Sequence, residues 1–164
     1  MNLQKYVAIS FSILFLSACT SNTKKKVRAD ERIQKISWLV GEWSGTFSTL
    51  NVYDRWYEES NLLMVGKRCF YNEHGDTLSR TTLKLMLKDT SWELNYNSVG
   101  PQEKGLIYKL VSTNFEKMVY NNATVGYPSL IVFNMVSGSS YQQIYSGTID
   151  SLPYQEIINF KRVK

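Results

Sequence analysis

From residue 42 onward, apolar and polar residues alternate along short runs rich in Tyr, Val, Ile, Thr, Trp and Phe. Gly, Asn, Asp, Ser or Pro interrupts these runs every 8 to 12 residues. Alternation sends successive side chains to opposite faces of a strand, and frequent turn residues join short strands into hairpins. The pattern predicts strands over 42–50, 52–59, 62–72, 77–88, 91–97, 104–112, 115–120, 129–136, 140–148 and 154–163. Tight links between them make an all-β meander, closed as an antiparallel up-and-down β-barrel of about 8–10 strands. Closure removes the exposed edges on which chains aggregate. The run 77–88 shows the logic best: Leu83, Leu85 and Leu87 share one face, and Arg80, Lys84 and Lys88 the other, so one face is core and one meets water. Glu73-His74-Gly75-Asp76 predicts a hairpin turn in which Gly75 takes a positive φ. Ahead of the strands, Ile33, Ile36 and Leu39 recur every three residues and predict one short helix over 30–39.

The first residues follow a different pattern. Lys5 precedes an apolar run, Val7 to Phe15, that closes on Leu16-Ser17-Ala18-Cys19. A run of roughly 10 apolar residues is too short to cross about 30 Å of hydrocarbon, and the small residues before the cysteine form a cleavage site. The expectation is a lipoprotein signal peptide over 1–18, cut before Cys19 and followed by acylation of Cys19. Residues 19–29 then form a flexible basic tether and residues 30–164 one domain. Thr20 rather than Asp follows the cysteine, and no acidic run comes after it. The expected address is therefore the cell envelope, at the outer membrane facing the periplasm.

Charge is decided by location. The chain carries a formal +5, but Lys5, Lys24, Lys25, Lys26 and Arg28 all precede the domain. From Asp30 onward 14 Lys and Arg balance 14 Asp and Glu, so a nucleic-acid partner has no basic face to meet. The tether cations instead suit an anionic membrane surface.

Chemistry-bearing motifs are sparse. Beyond the acylated Cys19 there is one further cysteine, Cys69, expected to be a small buried apolar residue in a strand. His74 is the single histidine and falls in a predicted turn, so the chain cannot assemble a Cys/His metal site, and neither a metal nor a cofactor is expected. No G-x-S-x-G elbow, P-loop or G-x-G-x-x-G segment occurs. Glu58, Glu59 and Glu93 show no spacing that pairs them as acid and base, which leaves an enzyme of unrecognised type as the weakest class.

Trp38-Leu39-Val40-Gly41-Glu42-Trp43 carries a G-x-W that resembles the first-strand motif of lipocalins and related calycin barrels. That resemblance implies a structural role for two residues: Trp43 packs across one barrel end against Arg162 of the last strand. More specifically, the chain resembles an uncharacterised lipocalin-like domain family over most of residues 38–162. Its members open with W-L-x-G-x-W, place an acid-x-W in the second strand and carry N-P-x-H-D-F-P before a late strand. The opening is intact here, Asp54-Arg55-Trp56 supplies the acid and tryptophan, and Asn122, Tyr127 and Pro128 match the late segment. Val125 and Gly126 stand where that family has His and Asp, so whatever that pair contributes is missing. The resemblance implies a barrel with a cavity and no established activity.

A candidate ligand set follows from register. With Ser60-Asn61 as the hairpin loop, Trp56 faces Met64, Asp54 faces Gly66, and Arg68 lies diagonally beside Asp54. Asp54, Trp56, Met64 and Arg68 would then line the barrel interior, with Tyr96 and Tyr108 joining by alternation and Tyr127 at the rim. The alternatives are that this face points outward, or that Asp54 and Arg68 satisfy each other in a filled barrel. Three classes stay open: a tethered, non-enzymatic module holding a small apolar or amphipathic ligand; an envelope interaction protein with a filled barrel; and an unrecognised enzyme. Leu130 to Phe133, apolar on both faces, speak for a covered outer surface in the second class.

Overall fold

The computed structural model describes residues 36–98 and 105–163. Within them, a 3₁₀ turn at Ser37–Leu39 leads into ten strands: β1 (Gly41–Phe47), β2 (Leu50–Ser60), β3 (Leu63–Tyr71), β4 (Thr77–Lys88), β5 (Ser91–Ser98), β6 (Leu106–Thr113), β7 (Lys117–Asn121), β8 (Leu130–Ser137), β9 (Ser140–Ile149) and β10 (Leu152–Arg162). Each strand pairs antiparallel with its sequence neighbours, and β1 pairs with β10, which closes the barrel. The expected signal peptide, the expected acylation site Cys19, the expected tether and most of the helix expected over 30–39 lie outside the described residues; of that stretch, Ser37–Leu39 forms a 3₁₀ turn.

Local chemistry explains the hairpins. Asn72 Oδ1 accepts from the backbone N–H groups of His74 and Asp76, and Gly75 takes the expected positive φ of 86°. Between β9 and β10 both loop residues, Asp150 and Ser151, have positive φ, the requirement of a two-residue turn whose twist matches the flanking strands. The register of β2 against β3 differs from the expected one by two residues. A bulge near Ser60 moves the turn to Asn61-Leu62, so that Asp54 lies opposite Arg68 and Trp56 opposite Gly66. A shift of two preserves the face, and that face is the interior. Cys69 therefore points the other way, half-buried on the outer surface between Tyr53 and Arg80, and is not a core residue.

One half of the barrel is filled. Leu83, Leu85 and Leu94 have no exposed surface, and Trp43, Trp56, Tyr120, Phe133, Tyr141 and Phe160 interlock around them. Tyr141 stacks on Phe160 at 4.6 Å, while Trp43 meets Tyr141 edge-on at 4.8 Å and Trp56 meets Phe133 edge-on at 5.8 Å. Gly66 exists for this packing: a Cβ there would lie 2.7 Å from the Trp56 ring.

The floor of that half is closed by Trp43 and Arg162, neighbours across β1 and β10. The Arg162 guanidinium lies 4.1 Å from the Trp43 ring centroid and donates to the carbonyls of Val40 (2.8 Å), Trp38 (2.9 Å) and Gly138 (3.3 Å). Trp43 Nε1 donates to Leu39 O at 2.7 Å, tying the 3₁₀ turn to the same plug. Gly41, at φ +130°, makes room for it; a Cβ would fall 2.3 Å from Arg162 Nη1.

Truncating the plug has a measurable cost. Trp43→Ala lowers unfolding stability by about 3–5 kcal/mol, and Gly41→Ala by about 1–3 kcal/mol through strain and displacement of Arg162. Urea unfolding checks both, and losses below about 0.5 kcal/mol would show that the plug is not integral to the fold.

Candidate functional site

Above the packed half lies a polar layer. Alternation on β2, β3 and β9 turns Asp54, Arg68, Tyr141, Gln143 and Tyr145 inward, and barrel closure brings β9 across from the β2–β3 pair. Arg68 and Asp54 have no exposed side-chain surface. Arg68 Nε donates to Asp54 Oδ1 at 2.7 Å and Nη2 to Asp54 Oδ2 at 2.5 Å, a two-pronged pairing that matches the carboxylate plane. The same guanidinium donates to Gln143 Oε1 and, through Nη1, to the Tyr145 hydroxyl. Tyr141 adds a third donor to Asp54 at 3.0 Å. Phe160 lies under the guanidinium at 5.2 Å. Burial is the largest single influence on Arg68 and works against its charge, but the attraction of Asp54, Tyr145 and Tyr141 and the hydrogen bond to Asp54 together outweigh it and hold the pKa of Arg68 well above its ordinary value.

Within this layer the charges of Asp54 and Arg68 are satisfied by each other and by Tyr141, Gln143 and Tyr145. Of the expected lumen residues, Asp54 and Arg68 are committed to each other, and Trp56 and Met64 sit in the packed half at 1% and 0% exposure. None of the four lines the cavity, and Gly66 leaves room for an indole rather than a ligand. The reason is the closure itself: β9, distant in sequence, brings its own hydrogen-bonding side chains to the pair. Trp56 Nε1 and Gln143 Nε2 are buried without a hydrogen-bond partner among the described residues.

On the far side of the layer, towards the β1–β2, β3–β4 and β9–β10 hairpins, the interior opens into a cavity of about 190 Å³. Three of the expected residues, Tyr96, Tyr108 and Tyr127, line it. Phe47, Phe70 and Tyr145 supply further aromatic wall, with Leu106, Pro128 and Ile158 between them and Glu156 as the charged member. The wall is braced by the segment between β7 and β8. Gly126 O accepts from Thr148 N, and Ser129 N donates to Ser146 O, which fastens this segment along β9. Tyr108 donates its hydroxyl proton to Pro128 O at 2.9 Å. Tyr127, joined to Pro128 by a cis peptide bond, donates to Glu156 Oε2, and Tyr154 donates to Glu156 Oε1 at 2.9 Å. Burial, and then the bond to Glu156, push the Tyr127 pKa up.

A wider depression of about 770 Å³ lies outside the barrel, where Tyr53, Tyr71 and Lys161 surround Gly45. It is open and shallow, so it cannot take an apolar molecule out of water as the inner cavity can. His74 is exposed in its turn, and among the described residues no three His, Cys, Asp or Glu side chains converge as a metal site requires. No protein-family model matches the chain, and no curated protein matches it.

Glu156, Tyr145 and Gln143 were not legible as site residues. Alternation within β9 and β10 allows each to face inward, but only the closed order of strands brings them to the cavity and the Arg68 layer.

Two measurements test the layer. Asp54→Ala leaves a buried guanidinium uncompensated and costs about 3–5 kcal/mol, whereas replacing both charges together, Asp54→Leu with Arg68→Met, costs much less or nothing. Equal losses in the single and double variants would refute the mutual satisfaction of the pair. Alkaline pH tests burial of the phenols. Burial raises the pKa of Tyr120, Tyr141 and Tyr145, and burial together with Tyr96 raises that of Tyr108 to about 12. Below pH 10 these groups are protonated in both states; above it the unfolded chain releases protons that the folded core retains, so stability falls. Each contributes a loss of about 1.4 kcal/mol per pH unit, and cooperative unfolding is expected as pH rises above 10, together with the phenolate absorbance change.

Proposed function

We propose that this chain is a non-enzymatic binding module that holds a small apolar or amphipathic molecule in the mouth of its barrel. The observation that carries this reading is the aromatic cavity of about 190 Å³ beyond the charge-paired Asp54–Arg68 layer. An apolar wall with few polar groups favours a ligand's hydrocarbon part, and the braced segment at Tyr127 and Pro128 holds that wall in shape before binding. At protein packing density the volume suits a molecule of about eight non-hydrogen atoms. In the same reading, the chain is a lipoprotein of the lipocalin-like kind, acylated at Cys19 and tethered at the outer membrane facing the periplasm, where such ligands partition between lipid and water.

A second reading rests on the outer surface. Val119, Val132, Ile144 and Ile157 are in register across β7, β8, β9 and β10 and form an apolar stripe on the barrel exterior, with Ile157 at 45% exposure. In that reading the stripe meets a protein partner in the envelope, and the cavity is incidental.

Native mass spectrometry of the chain purified from its own host, beside Leu106→Trp, separates the two. A reproducible small-molecule adduct in the wild type that Leu106→Trp loses is the expected result, because the indole fills the cavity. A bare protein in both samples, with loss of assembly in Ile157→Lys, would replace the binding module with the partner-binding barrel.

A further inference from the structure

We propose that the mouth pocket selects a small organic cation, an ammonium group on a short apolar body, with Glu156 as its counter-charge and the surrounding aromatic rings as its cage. This rests on the binding reading above and narrows it to a ligand class. Among the described residues, Glu156 is the one charged side chain that lines the cavity. Its two recorded partners, the hydroxyls of Tyr127 and Tyr154, are neutral, and among the described residues it forms no ion pair. A carboxylate has about four acceptor positions, so two phenols leave room for an ammonium. Asp54, the other carboxylate of the interior, is by contrast neutralised by Arg68. The net charge that the described residues turn towards the cavity is therefore negative.

The walls point the same way. Phe70, Tyr96, Tyr108, Tyr127 and Tyr145 present aromatic surface around the same space, and ring faces attract cations through their quadrupole, more so away from water. The phenol oxygens of Tyr108 and Tyr127 are engaged with Pro128 and Glu156. Tyr145 accepts from Arg68 and still has a proton to donate, and Tyr96 also lines the cavity, so an anion would meet neutral hydroxyl donors but no cation among the described lining residues. A carboxylate held there would share a cavity of about 190 Å³ with Glu156 and be repelled.

Isothermal titration calorimetry of the full chain with hexylammonium, hexan-1-ol and hexanoate tests this, since the three share length and shape and differ in charge. Hexylammonium is expected to bind at least about tenfold more tightly than hexan-1-ol, and hexanoate more weakly than either. In Glu156→Gln the preference for hexylammonium over hexan-1-ol should vanish, with an unchanged circular dichroism spectrum reporting that the variant is folded; a preference retained by the folded variant would overturn the assignment. Equal or tighter binding of hexan-1-ol or hexanoate by the wild type would overturn the cation assignment and leave the apolar pocket standing. Absence of binding by all three would overturn both.

Discussion

The Arg68–Asp54 pair is the constraint around which the interior is organised. Two charges removed from water cost several kcal/mol each, and such a pair persists only when geometry is close and the remaining donors and acceptors are met. Here Asp54 is met by two prongs of the guanidinium and by Tyr141, and the rest of Arg68 by Gln143 and Tyr145. All three helpers come from β9, so the pair is stable only in a closed barrel with β9 opposite β2 and β3. Closure and charge burial depend on each other.

The layer divides the barrel by chemistry. On one side, Trp56, Leu83, Leu85 and Phe133 fill the volume down to the Trp43–Arg162 plug. On the other, the wall is aromatic and a cavity of about 190 Å³ remains between Phe70, Tyr96, Tyr127 and their neighbours, although Phe47 meets Phe70 edge-on at 6.2 Å. Tyr145 belongs to both regions: its hydroxyl anchors Arg68 and its ring lines the cavity. A polar layer fixed by several hydrogen bonds gives the pocket a rigid base, which an apolar floor of adaptable side chains would not.

The two carboxylates of the interior illustrate how environment sets role. Asp54 is paired with a cation, wholly buried and unavailable. Glu156 is partly buried at the rim, accepts from two phenols, and lines the cavity without a cationic partner among the described residues. In the proposed reading, the same side-chain chemistry serves cohesion in one layer and recognition in the next.

By itself the sequence determined the strands, their alternation and the meander, because a period of two and turn residues such as Asn72, Gly75 and Asp150 act locally. It also brought Tyr96, Tyr108 and Tyr127 to the interior and Trp43 together with Arg162, through alternation and a resemblance at the two ends of the barrel. The register of β2 against β3 was off by two residues because a bulge near Ser60 leaves no compositional mark. Which interior residues are filler and which face a cavity was decided only by the tertiary structure. That depends on what β9 and β10 place opposite Asp54 and Arg68 after closure, a juxtaposition of segments nearly ninety residues apart that no local pattern encodes.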